Sequence, residues 1–97
     1  MEITKNSRGG KMNIAVSGRI DTRTAPELEE VVRSLDEITD LTFDFKDVQY
    51  ISSAGLRVIL IAQKTMNKQG SMTIRNVSSE IMDIFEVTGL SDLLNIK

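Results

Sequence analysis

The stretch Leu41–Gly70, "LTFDFKDVQYISSAGLRVILIAQKTMNKQG", decides the fold. It begins by alternating, with Leu41, Phe43 and Phe45 on one side and Thr42, Asp44 and Lys46 on the other, the pattern of a half-buried strand. From Ser53 the spacing predicts a helix to about Gln69, stopped by Gly70. Its centre, "VILIA", is apolar almost all round and rich in β-branched residues, which would also suit a strand. Its length and the polar "QKTMNKQG" that follows decide for a helix, and for the most buried one.

Outward from this unit the same two periods recur. "SMTIRNV" alternates with Met72 and Ile74 inward. Upstream, Met12, Ile14 and Val16 alternate with Asn13, Ala15 and Ser17 until Gly18 closes the strand. A short β-prone "EIT" precedes it across the turn "NSRGG", so these two strands pair antiparallel. In "RIDTRTAPELEEVVRSLDEI", Thr24 and Glu27 fit a capping box, with Pro26 in the first turn. Leu28, Val31, Val32 and Leu35 then form one stripe on a helix of about three turns. "SSEIMDIFEVTGLSDLL" supplies a serine cap at Ser78 or Ser79 and a short helix with Ile81, Ile84 and Phe85 inward. Gly89 follows as C-cap, and then a last helical turn.

The order is β-β-α-β-α-β-α-α. Strands joined through helices run parallel with right-handed crossovers. Alternation in every strand means that one sheet face alone is covered. The expected fold is therefore an α/β, mostly parallel mixed sheet with all helices on one face. The loops "GRIDTRT", "QYISSAG" and "NVSSE" then share one edge, where parallel sheets bind their ligands. Asp21 and Thr22 become neighbours of Ser52 and Ser53.

Composition narrows the function. At 97 residues the chain forms one domain, residues 1–97, that buries roughly 60–65% of its unfolded surface. With three Phe, one Tyr and no Trp, the core must be built mainly from Ile, Leu, Val and Met. Net charge is −2 with acids and bases interleaved, which argues against nucleic acid or an anionic membrane as partner. No cysteine and no histidine are present, so thiolate chemistry, cysteine-ligated zinc and the usual general base are excluded. The longest apolar run, Val58–Ala62, is far short of the ~20 residues of a membrane span. "MEITKNSRGGK" offers no signal-peptide core. The expectation is a cytoplasmic protein that is a monomer when free, is not an enzyme, and has no cofactor or metal.

The serine pair has a plain reading as a helix cap, which is worth about 1 kcal/mol. A cap needs one serine, however, and has no use for Ala54 and Gly55. Two small residues beside an exposed hydroxyl leave the backbone approachable. Arg57, one turn inside the helix, is either a solvated surface residue or a contact for a partner or phosphate.

"YISSAGLRVIL", with "GRID" upstream and "IFEVTGLSDLL" downstream, resembles the STAS family, the anti-sigma factor antagonists of bacteria. The resemblance covers essentially the whole chain in order. It puts the phosphorylatable serine on Ser53, with Ser52 as runner-up, Ala54 in a variable slot, and Gly55 and Leu56 on the motif's Gly-Leu. Asp21 matches the acidic residue near the partner and nucleotide surface, and Gly89 the glycine before the final helix. The slot before the acceptor, usually Asp, is Ser52, which can cap a helix but carries no charge. The implied partner surface is Asp21, Thr22, Ser52, Ala54, Gly55, Leu56 and Arg57. The implied mechanism is a partner switch: the unmodified protein binds an anti-sigma factor that is also a serine kinase. Phosphorylation releases it, and a metal-dependent serine phosphatase resets it.

Three other readings stand beside this one. A STAS domain can be an unphosphorylated structural subunit of an ABC lipid-transport complex. A carrier protein would hold a phosphopantetheine arm on a helix-terminal serine, but carriers are all-helical. An enzyme is disfavoured because Ser53 has no histidine to activate it, and Lys64 and Lys68 lie well down the same helix.

Overall fold

The computed structural model describes residues 1–97. The elements are β1 (Glu2–Arg8), β2 (Lys11–Ile20), α1 (Ala25–Val32), β3 (Asp40–Ile51), α2 (Ser53–Gln69), β4 (Ser71–Arg75) and α3 (Ser79–Val87), with a 3-10 turn at Leu90–Asp92. The four strands lie in the order β1-β2-β3-β4, the first pair antiparallel and the other two parallel. The expected α/β sheet with helices on one face is observed. No helix is long and apolar enough to cross a membrane.

The alternating positions build the covered face. Ile14, Leu41, Phe43, Phe45 and Ile74 are fully buried there and belong to one cluster of 25 buried side chains. Phe45 bridges the layers, meeting Phe43 edge-on at 6.0 Å and Phe85 of α3 at 6.3 Å. On the other face Asn13, Ala15 and Lys46 are exposed. Helix α2 spans the expected residues, although Leu60 and Ile61 on its outer side are only half-buried.

Several boundaries differ, each for a local reason. Strand β1 has seven residues, because the hairpin pairs continuously from Glu2↔Ser17 to Arg8↔Lys11. Gly18 does not close β2. It takes φ +89° within an irregular stretch, and the strand runs on to Ile20. Strand β3 likewise continues to Ile51. Between Ala15↔Asp44 and Ser17↔Asp47 it spends three residues where β2 spends two, and it gains another before Arg19↔Tyr50. These bulges bring Phe45, Val48 and Ile51, spaced by three, to the buried face.

Helix α1 is shorter than the predicted three turns. It ends at Val32, and Leu35 and Ile38 enter the core from the irregular segment beyond it. The Gln69 amide at the end of α2 donates to the carbonyls of Leu35 (2.6 Å) and Ile38 (2.7 Å), supplying partners that a longer helix would have supplied. The final turn is 3-10 rather than α.

Candidate functional site

Register places the first two loops of the expected site side by side. Ile20 pairs with Ile51 at the ends of β2 and β3, and the Ser52 N–H donates to the Ile20 carbonyl at 2.8 Å. Asp21–Thr22 and Ser52–Ser53 therefore leave the sheet as neighbours. The third loop does not join them. Strand β4 stops at Arg75 opposite Asp44, whereas β3 runs seven residues further, so "NVSSE" leaves the sheet well before the rim. The unequal strand lengths overturn the expected three-loop cluster.

At the head of α2 the two serines divide the work. Ser52 has extended geometry (φ −93°, ψ 175°), and its Oγ accepts the Gly55 N–H at 3.4 Å; it is the N-cap. Ser53, at the first helical position, is exposed, and its hydroxyl makes no hydrogen bond within the protein. Ala54 is half-buried against the core.

Gly55 is there for packing rather than to leave an approachable backbone. It is buried, and a Cβ built on it would lie 2.7 Å from Ile20 Cγ2 and from Ile51 Cγ1. Leu56 is also buried, so this pair seats the helix from beneath instead of facing outward. Arg57 is exposed but engaged, with its Nη1 3.1 Å from Glu29 Oε1 on α1. Glu29 also holds Arg33 at 2.8 Å, and the Arg33 hydrogen bond, with both cations nearby, keeps its carboxyl below the usual range against opposing desolvation.

Asp21 replaces the expected capping box. Thr24 makes no side-chain cap bond to α1. Instead, Asp21 Oδ1 accepts the N–H groups of Arg23 (3.0 Å) and Thr24 (3.1 Å), with the Thr24 hydroxyl oxygen 3.2 Å away. A carboxylate is the better acceptor for those free amides, and Thr24 Oγ1 turns back to donate to the Arg19 carbonyl at 2.8 Å. Desolvation pushes the Asp21 carboxyl up, but these bonds and Arg19 outweigh it and hold it below its ordinary value. Thr22 stays exposed.

Two rim residues escaped the sequence reading as site members. Arg19 stacks over the Tyr50 ring at 4.3 Å and reaches toward Asp21 at 3.9 Å, which leaves Tyr50 38% exposed. Both occur within the quoted motifs, but only the cross-strand pairing of Arg19 with Tyr50 reveals that they meet.

A one-sided mixed sheet with this serine-headed central helix is the STAS arrangement. Residues 2–97 match the STAS domain family, and the chain belongs to it. It is similar to an anti-sigma-B factor antagonist of Bacillus subtilis strain 168, 36% identical over 98 residues, covering 99% of this chain and 88% of that one. Among solved structures, an anti-sigma factor antagonist from Mycobacterium paratuberculosis superposes with a TM-score of 0.88 at 23% identity, covering 98% of this chain and 83% of the other. SpoIIAA superposes with a TM-score of 0.78 in its unphosphorylated form (12% identity, 99% and 87% coverage). The TM-score is again 0.78 for its phosphorylated form (14% identity, 99% and 91% coverage).

Proposed function

We propose that this chain is an anti-sigma factor antagonist in a phosphorylation-controlled partner switch, with Ser53 as the acceptor. The observation that carries the reading is where the free hydroxyl stands: Ser52 is occupied as the cap, while Ser53 is exposed on the rim beside the Asp21 loop, at the head of a helix with no acidic residue. The naming of the Bacillus subtilis relative supports it. The unmodified form binds an anti-sigma factor that is also a serine kinase, with Asp21, Thr22, Arg19 and Tyr50 flanking the contact. Phosphorylation ends the complex, and a metal-dependent serine phosphatase restores the hydroxyl. In this scheme the chain is substrate and ligand, and its partners do the chemistry.

The energetics fit a switch that leaves the fold intact. A phosphoryl group adds about −1.5 to −2 charges. At the head of α2 it meets the positive end of the helix, worth about 0.3–1 kcal/mol, and the helix carries no acidic residue in its first turn. Arg57 lies one turn on, so a dianion at Ser53 competes with Glu29 for its guanidinium. The equal superposition on both SpoIIAA forms is in keeping with a fold indifferent to the modification. At the interface, by contrast, one like charge about 4 Å away costs roughly 4 kcal/mol at an effective dielectric of about 20. That is about three decades of affinity.

The test is capture of the anti-sigma factor from the source organism by wild-type, Ser53→Ala and Ser53→Asp proteins, with intact mass read after incubation with ATP. Wild type and Ser53→Ala retain it, Ser53→Asp loses it, and wild type alone gains one phosphoryl group. Equal retention by all three, or a phosphoryl group on Ser53→Ala, overturns the assignment.

A further inference from the structure

Outside the Ser53 rim, charge is distributed unevenly. The chain carries a net −2, yet α2 contains no Asp or Glu and three cations, Arg57, Lys64 and Lys68. These fall with Ile61 at i, i+4, i+7 and i+11, which on a helix is a single stripe about 16 Å long. The stripe lines a groove of about 390 Å³ with Leu60 and with Arg33 from the end of α1. Leu60 and Ile61 are half-buried at its centre, packed against the edge of the core and the part of "VILIA" that it covers least.

The cations are not equivalent. Arg33 and Arg57 share one partner, Glu29, so each is engaged although the trio keeps one net positive charge. Lys64 and Lys68 are exposed and form no ion pair. Asp36 lines only the adjoining hollow, with Arg33, Ile61 and Thr65, and is paired with neither lysine. The result is a mainly basic groove with Leu60 and Ile61 at its centre and two unpaired lysines at one end, along the helix that carries Ser53.

We propose that this groove is a second docking site for the anti-sigma factor, which lays a helix of about three turns into it, apolar at its centre and acidic where it meets Lys64 and Lys68. This rests on the partner-switch reading, because Arg57 joins the groove to the Ser53 rim within one helical turn. The length of the stripe matches a three-turn helix, and the unpaired lysines select carboxylates at i, i+4 spacing. A flat anionic surface fits less well, since Leu60 and Ile61 are half-buried while the cations around them are exposed. Regulation gains from the arrangement. Phosphorylation acts at one end of a two-part interface, so the released antagonist keeps a weak, charge-steered hold that speeds recapture once the phosphoryl group is removed.

The experiment measures binding of the purified anti-sigma factor from the source organism to wild type, Lys64→Glu/Lys68→Glu and the control Arg8→Glu/Lys11→Glu. The control makes the same charge change at the β1–β2 turn, at the far end of the sheet from the rim. The groove variant is expected to bind about tenfold or more weakly, with a flatter dependence on salt, while the control stays near wild type. Lys64→Gln/Lys68→Gln, which removes charge without reversing it, gives a smaller loss in the same direction and covers the case in which the glutamates disturb folding. If Ser53→Asp releases the partner but the groove variants bind like wild type, the groove proposal falls and the switch stands. If wild type does not bind, both fall. Equal losses in groove variant and control reduce the effect to net charge and overturn the proposal. So does self-association of wild type that the groove variant abolishes, which would give the groove to the acidic α3 of a second copy.

Discussion

Helices α2 and α3 begin with the same local device. Each is headed by two serines; the first caps through its side chain, Ser52 to Gly55 at 3.4 Å and Ser78 to Ile81 at 3.3 Å, and the second is exposed at the first helical position. Yet the surroundings are opposite. Ser53 stands beside the Asp21 loop on a helix without acids, whereas Ser79 is followed by Glu80, Asp83 and Glu86 on a helix without bases. The third helical position is glycine in α2 because Ile20 and Ile51 crowd it. In α3 it is Ile81, 1% exposed in the core. Cap geometry alone therefore does not mark a modification site. In the proposed switch it is the field and the neighbours of the second serine that set Ser53 apart from Ser79.

The largest contrast is expected in binding. Ser53→Asp lowers affinity for the anti-sigma factor by up to about three decades, while Ser79→Asp changes it by less than about threefold. Calorimetric titration of both variants checks this, and equal losses would erase the distinction between the helices. Next comes the third helical position, where the two helices respond to opposite changes. Ile81→Ala empties a core site and costs about 2–5 kcal/mol. Gly55→Ala adds a methyl where none fits and costs about 1–3 kcal/mol. Urea unfolding midpoints report both.

The caps themselves should behave alike. Ser52→Ala and Ser78→Ala each destabilise by about 1 kcal/mol in the same assay. A much larger loss at Ser52 would assign it more than a cap. The smallest effect is a pH dependence from Asp21 and Glu29 on the α2 side and Asp44 on the open sheet face, whose carboxyl pKa values are all lowered. In acid the unfolded chain takes up protons on these groups before the folded chain does. Their contribution is therefore full above the ordinary carboxylate range, about pH 4, and is lost as pH falls through the lowered folded values. Asp21→Asn should flatten that decline in a series of urea melts across the acid range.

Much of the architecture was legible because burial on one face writes a period into the sequence. Met12, Ile14, Val16 and then Leu41, Phe43, Phe45 declared their strands, and Gly70 declared the end of α2. What failed was any step at which the period changed. Val48 and Ile51 belong to β3 only because bulges reset its register, and no two-residue alternation carries that information. Leu35 extended the α1 stripe in sequence but reaches the core from a turn, which helical periodicity cannot distinguish. At the site, Ser52, Ser53 and Asp21 were readable as local motifs. The contact of Arg19 with Tyr50 and the crowding behind Gly55 depend on pairing between distant strands.

The spatial order of the strands, β1-β2-β3-β4, repeats their order along the chain. No strand has to be inserted between two earlier ones, so each new segment leaving the ribosome can add to an edge that already exists. A nascent chain that has released Gln69 already contains the three strands that pair as β1-β2-β3 and the long helix that follows them. Growth of this kind keeps loop closures short and leaves little time for an unpaired apolar edge to find another chain.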